Sequence, residues 1–293
     1  MTAGRTGTMQ SQIANAPTGP RRGPASGKTR FDDIYDQPDP RAYFRRLAPF
    51  QYEIPHHGQQ VFRRDRSERG KLPGAAGPVT VLDLCCSYGI NAALLNHRLT
   101  LAELFAHYTS PAALAMSRAQ LVDHDREFYA ARRLPDAAPV IGLDTAPNAL
   151  RYALDVGLLD AAYAENLEHH PPSDELRDAV AETGLITVTG GIGYISHRTF
   201  DALLRCAREP LWVSAFVLRT VPYEEVAACL DGHGLTTRTD RRRTYPQRLF
   251  TSMAEQRGAV EQVLLAGEDP AELEAEGRYH TRLYQSRPRG TAR

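Results

Sequence analysis

Short apolar runs recur along the chain at intervals that leave room for a helix between them. Residues 79–84 (VTVLDL), 140–144 (VIGLD), 160–166 (DAAYAEN), 185–189 (LITVT) and 211–218 (LWVSAFVL) are each bounded by turn-forming residues. Most lack strict alternation, as expected of strands buried on both faces of a parallel sheet. Helical segments fit between them at 147–156, which opens on Pro147, at 199–207, and at 222–230, which stops near Gly232 and Gly234. Residues 235–241 and 247–252 read as a closing antiparallel pair joined through RRRTYP. The pattern predicts an α/β fold with a doubly wound, mostly parallel, seven-stranded sheet.

The flanks differ in character. Residues 31–70 mix aromatic, basic and proline residues and predict short helices broken at Pro38, Pro40 and Pro55, a cap and not a core. Residues 70–78 have linker composition, and the charged stretch 253–293 reads as helical. Residues 1–30 are rich in Gly, Pro, Ala, Ser and Thr with no apolar period, which predicts a disordered tail. No internal repeat is visible.

Composition narrows the possible partners. With 293 residues, 42% of them apolar, the chain can bury a large core. Lys plus Arg and Asp plus Glu are 35 each, so no overall field attracts nucleic acid or an anionic membrane. Four cysteines, Cys85, Cys86, Cys206 and Cys229, fit neither a disulfide framework nor zinc-site spacing, which predicts reduced thiols and a cytoplasmic location. No run reaches the length of a membrane span.

In a doubly wound sheet, ligands sit beyond the carboxyl ends of the strands, so the turn after the first strand carries the chemistry. That turn reads VLDLCCSYGINAALL over residues 81–95. It resembles the first motif of the class I S-adenosylmethionine-dependent methyltransferases, in which an apolar strand ends in an acid and a glycine-rich turn feeds a helix. Asp83 and Gly89 fall in register with that motif. Cys85 and Ser87 stand where the family usually has glycine; both are small, and they are tolerated there if their backbone angles are ordinary. The Cys85-Cys86 pair is expected to be buried small residues and not reactive thiols, since no Lys or His lies beside it. The resemblance implies a Rossmann-like domain over residues 79–252, S-adenosylmethionine as cofactor, and Asp83, Cys85, Ser87, Tyr88 and Gly89 around it.

Further segments extend the resemblance. Asp144, followed by Thr145, sits where the family's acid grips both ribose hydroxyls; a plain helix cap is the structural alternative. Asn166 and Leu167, after the third strand, sit where the family holds adenine. The glycine-rich loop 190–197, containing Gly190, Tyr194, Ser196 and His197, sits where the family borders the reactive methyl group. Tyr194 and His197 are therefore the expected catalytic residues, although His197 also reads as an ordinary helix-start residue. Asp83 and Asp144 are 61 positions apart, far more than the ~20 of a simple dinucleotide-binding unit. The excess marks a helical insertion at 98–138 that either covers the pocket or joins copies of the chain. Arg219, after the fifth strand, either meets an acidic substrate or lies on the surface. His169 and His170 lack ligand-spaced companions, so no metal is expected.

The resemblance implies a methyltransferase. Residues 241–243 (RRR) form the only basic run within the presumed domain and read as a solvated turn, which favours a small-molecule acceptor over nucleic acid. Two other uses of the same cofactor stay open from sequence. One is attack on the aminobutyryl carbon with release of methylthioadenosine, as in nicotianamine synthase and the azetidine-carboxylate-forming cyclases. The other is non-catalytic binding.

Overall fold

The computed structural model describes residues 29, 31–72, 77–208 and 211–290. The tail expected over residues 1–30 lies, Thr29 apart, outside the described residues. Eight strands form one sheet: β1 (Thr80–Leu84), β2 (Val140–Asp144), β3 (Ala161–Ala164), β4 (Thr183–Thr189), β5 (Trp212–Leu218), β6 (Leu235–Thr239), β7 (Tyr245–Leu249) and β8 (Arg278–Pro288). The order is β3-β2-β1-β4-β5-β8-β6, with β7 also paired to β8. Strands β1 to β5 are parallel, and Val81 lies opposite Val140 on one side and Leu185 on the other. The chain leaves β1 in one direction for β2 and returns on its other side as β4, so the topological switch point lies between β1 and β4.

Burial on both faces explains the continuous apolar strands. Val81, Val140, Leu185 and Phe216 pack against helices α1 (Arg41–Leu47), α2 (Ile54–Gly70), α3 (Ile90–Asn96) and α7 (Pro147–Asp155). Leu82, Ile141, Ile186 and Val213 face α8 (Asp174–Ala181), α9 (His197–Leu204) and α10 (Glu224–Gly232). The result is the doubly wound α/β architecture expected from the sequence.

Three details of the expectation are corrected. First, the last segment is not all helix: after α11 (Met253–Leu265) the chain enters the sheet as β8, giving eight strands instead of seven. Its charges read as helical surface, yet each finds a partner. Arg282 pairs with Glu268, and Arg287 lies 4.0 Å over the Trp212 ring and bonds Asp65 at 3.1 Å. Second, β6 and β7 pair with β8 and not with each other, so they form two stretches of one interrupted edge.

Third, residues 31–70 are more than a cap. Pro55 occupies the first turn of α2, where its missing N–H costs nothing, and the helix runs unbroken for 17 residues. Phe62 of α2 packs on Phe216 at 5.8 Å. Asp65, fully buried, accepts from Ser214 Oγ and Gln285 Nε2, each at 2.6 Å. Thus α2 belongs to the core, and α1 joins the same core through Tyr43, Phe44 and Leu47.

Within the 98–138 insertion, α4 (Leu101–Thr109), α5 (Pro111–Ala115) and α6 (Arg118–Ala130) begin at Thr100, Ser110 and Ser117, each of whose side chains caps its helix. Phe44 of α1 stacks on Tyr108 of α4 at 4.7 Å. Tyr108 shares hydroxyl hydrogen bonds with Tyr129 at 2.8 Å and Tyr152 of α7 at 2.9 Å. The insertion is therefore fixed between α1 and α7. No described helix is long and apolar enough to cross a membrane.

Candidate functional site

The site forms at the switch point, where the turn after β1 meets the ends of β2 and β4. Cys85 N–H extends the ladder by donating to Leu143 O at 2.8 Å, and then the backbone turns sharply. Cys85, Ser87 and Gly89 have φ of 57°, 49° and 74°, so every second residue is left-handed. The sequence expectation of ordinary angles at Cys85 and Ser87 is corrected: the turn keeps a glycine conformation at two residues that carry side chains. That conformation costs about 1–2 kcal/mol per residue, so the surroundings must impose it. Cys85 packs against Gly191, where a Cβ would lie only 2.7 Å from Sγ. Ser87 N–H donates to Asp144 Oδ2 at 2.9 Å. Cys86 is buried, and burial pushes its thiol pKa well up, which leaves it unreactive.

Two carboxylates flank this turn. Asp83, 1% exposed, accepts through Oδ1 from Asn91 Nδ2 at 2.9 Å and Thr187 Oγ1 at 3.0 Å. Its Oδ2 is buried with no hydrogen-bond partner among the described residues, as is Ser87 Oγ. Burial lifts Asp83 to about 7, against the pull of the Asn91 and Thr187 bonds, with the charge of Asp144 adding to the rise. At the end of β2, Asp144 Oδ1 accepts from the N–H groups of Thr145 at 2.6 Å and Ala146 at 3.1 Å, while Oδ2 holds Ser87. Asp144 thus caps its own turn and also anchors the turn after β1.

Three tyrosines feel the charge of these carboxylates or of one another. Burial raises the Tyr35 pKa well above its usual value, with Tyr52, Tyr194 and Asp144 adding to it. Tyr52 is pushed up to about 12 by burial and responds to Arg248, Asp83 and Tyr194. These mutual influences place Tyr35, Tyr52 and Tyr194 in one field with Asp83 and Asp144. Arg248 of β7, 2% exposed, is held by Glu255 at 2.6 Å.

Other expected residues fall elsewhere. Tyr88 is fully buried, and its hydroxyl accepts from Gln37 N–H at 2.8 Å and donates to Ile34 O at 2.9 Å. It anchors the N-terminal segment instead of lining the pocket. Asn166 is exposed, and its Oδ1 accepts from Glu168 N–H two residues on, a local turn, while Leu167 is buried in the core. His197, expected as catalytic, is the first residue of α9 and half-exposed, with its Nδ1 3.3 Å from the exposed Glu225 of α10. Gly190, with φ of 72°, closes the β4 end by donating to Phe216 O. Arg219 is neither a surface group nor open to substrate, being buried against Glu274 at 2.5 Å.

Sequence reasoning missed Gln247 and His57. Gln247 of β7 is 2% exposed, and its Oε1 is buried without a partner among the described residues. His57, in the first turns of α2, has its ring 5.5 Å from Tyr245, and burial lowers its pKa, with the charges of His56 and Arg243 adding to the fall. Neither carries a motif. Potential metal ligands do converge in two places among the described residues, His107 with His124 and Asp125, and Asp201 with Cys229 and His233. Neither group includes a residue of this cleft.

No protein-family model matches the chain, and no curated protein matches it. Solved structures that resemble it include the magnesium protoporphyrin IX methyltransferase of Synechocystis PCC 6803 with bound SAM, at 13% identity over 79% of each chain and a TM-score of 0.37. The plantazolicin methyltransferase BamL, solved with a desmethylPZN analog and SAH, is 11% identical over 78% of this chain and 84% of its own, with a TM-score of 0.38. The cyclase SpnF is 13% identical over 79% and 82%, with a TM-score of 0.37. The α/β architecture rests on the strand order itself and not on these shallow likenesses.

Proposed function

We propose that the chain is an S-adenosylmethionine-dependent methyltransferase that acts on a small-molecule acceptor. The observation that carries this reading is the arrangement at the switch point. Two carboxylates, Asp83 and Asp144, end adjacent parallel strands beside a left-handed turn whose buried Ser87 Oγ, like Asp83 Oδ2, has no partner among the described residues. Buried polar atoms left without partners are costly and rare, and a bound ligand is one way to satisfy them.

S-adenosylmethionine fits these groups. Asp144, oriented by three backbone N–H groups, presents a carboxylate to the ribose hydroxyls. Asp83 Oδ2 would hold the ammonium group of the cofactor's amino-acid tail, and a positive charge there would favour the ionised form of Asp83. Tyr35, Tyr52 and Tyr194, which share a field with these carboxylates, are aromatic groups that would attract a sulfonium cation. When bound, the cofactor supplies an electrophilic methyl group. The chain's own residues would orient it and align the acceptor.

A small acceptor agrees with the cover over this end of the sheet. Asp36 accepts from Asn148 N–H at 2.8 Å, and Gln37 is tied to Tyr88, so the segment before α1 lies across the start of α7 and the turn after β1. The balanced net charge gives no overall attraction for a nucleic-acid backbone.

Calorimetry with S-adenosylmethionine tests the cofactor, and mass spectrometry of the nucleoside products tests the reaction. Binding followed by S-adenosylhomocysteine formation with a small acceptor is the expected result. Methylthioadenosine above the spontaneous background would replace methyl transfer by attack on the aminobutyryl chain, and absence of binding would overturn the whole reading.

A further inference from the structure

We propose that Gln247 binds the acceptor: through Oε1 its buried side-chain amide accepts a hydrogen bond from a hydroxyl or N–H group of the small molecule to be methylated. The inference rests on the methyltransferase reading for the identity of the ligand. Its structural basis is separate from the carboxylate turn.

Gln247 is a bulge. Pro246 lies opposite His280 and Arg248 opposite Tyr279, so the residue between them has no partner across the ladder. A bulge re-aims a side chain that regular pairing would commit to one sheet face. Here its backbone O is taken by Glu53 N–H at 2.8 Å, which fixes the bulge to the start of α2. The side chain is directed at the loop after β4. A Cβ placed on Gly190 would sit 3.0 Å from Gln247 Nε2, so the glycine lets the amide approach the loop backbone. Gln247 is 2% exposed, yet Oε1 has no donor among the described residues.

A chain of contacts links this amide to the cofactor side of the cleft. Asp83 bonds Asn91, Asn91 Nδ2 donates to Thr189 Oγ1 at 3.0 Å, and Thr189 directly precedes Gly190. These contacts set Asp83 and Gln247 on opposite sides of the β4 end, and the proposed acceptor would lie between them. The unsatisfied atom on the cofactor side is a carboxylate oxygen, suited to a cation, whereas the one on the far side is a neutral amide oxygen, which selects an uncharged O–H or N–H donor. In the transfer, a lone pair of the acceptor's oxygen or nitrogen forms the new bond to the methyl carbon. The carbon–sulfur bond breaks with its electron pair left on sulfur, and the acceptor's proton leaves to water. An amide is too weak a base to hold that proton, so Gln247 positions the acceptor and does not deprotonate it.

The test uses the full chain and Gln247→Met, which keeps length and removes the amide. Calorimetry with S-adenosylmethionine comes first. If the unaltered protein does not bind it, the methyltransferase reading fails; if only the variant loses affinity, by about tenfold or more, Gln247 is a cofactor ligand and the inference is overturned. Thermal unfolding follows: a variant as stable as the parent or more so is expected, because an unmatched acceptor has been replaced by apolar atoms, whereas a marked fall would make Gln247 structural. Finally, crystals loaded with S-adenosylhomocysteine are soaked in phenol or in toluene. Ordered phenol with its hydroxyl on Gln247 in the parent alone, and no ordered toluene in either protein, is expected. Phenol bound equally in the variant, or ordered only elsewhere, overturns the inference.

Discussion

Ser87 donates its backbone N–H to Asp144 Oδ2 at 2.9 Å, joining the turn after β1 to the end of β2. One carboxylate thus both shapes the loop beneath the proposed ligand and faces the place where its ribose would lie.

Removal of that carboxylate is expected to weaken ligand binding. Asp144→Ala should lower affinity for S-adenosylmethionine by at least ~1 kcal/mol and destabilise the fold as well, because three N–H groups lose their acceptor. Calorimetry and urea unfolding separate the two effects. Unchanged affinity in a folded variant removes Asp144 from the ribose.

Relief of the strained turn is expected to stabilise the protein. At Ser87→Gly the left-handed cost of about 1–2 kcal/mol is recovered, less about 0.5–1 kcal/mol for the greater freedom of glycine in the unfolded chain. The buried, unpartnered Oγ also disappears. Urea unfolding should show a gain of up to ~1 kcal/mol, with weaker S-adenosylmethionine binding if Oγ is a ligand group. A loss of stability means that the hydroxyl supports the fold.

Asp83 makes stability depend on pH in an unusual direction. Its folded pKa, about 7, lies above the ordinary value of 3.8, so the native state binds the extra proton. The stabilising contribution is complete below about 4 and is lost as pH rises through 7. Relative to Asp83→Asn, the ligand-free protein should lose roughly a few kcal/mol between pH 4 and 8. Parallel pH profiles of the two proteins would show that Asp83 titrates normally.

Glu255 works in the opposite sense. Burial opposes its charge, but Arg248 and the N–H of Thr251 hold its pKa down at about 2. Its contribution is present above the ordinary carboxylate range and disappears as pH falls toward 2. Glu255→Gln leaves Arg248 buried without a counter-charge and should cost about 3 kcal/mol or more. Urea unfolding at neutral pH measures this, and a cost below ~1 kcal/mol would show that water reaches the guanidinium.

Strands β1, β2, β4 and β5 were legible because burial on both faces leaves an apolar run that few other contexts produce, and β3, a half-buried edge strand, was legible from its spacing among them. Strand β8 was not, because its arginines look solvated until Glu268, Asp65 and the Trp212 ring are brought beside them. The turn after β1 was legible in position but not in conformation: nothing local in Cys85 or Ser87 indicates a positive φ, which is imposed by Gly191 and Asp144 from distant segments. The helix-start reading of His197 was legible from its place after Ser196, whereas its neighbour Glu225 was not, because it lies on another helix. Gln247 gave no signal, since a bulge is a property of the pairing and not of the residue.

The position of β8 also bears on how the molecule is made. It lies between β5 and the β6–β7 edge, all of which precede it in the chain. During synthesis those strands emerge first and must wait with exposed hydrogen-bonding edges, open to pairing with other nascent chains. Only when residues 278–288 leave the ribosome is the gap filled, so the sheet is completed by insertion and not by growth from one end.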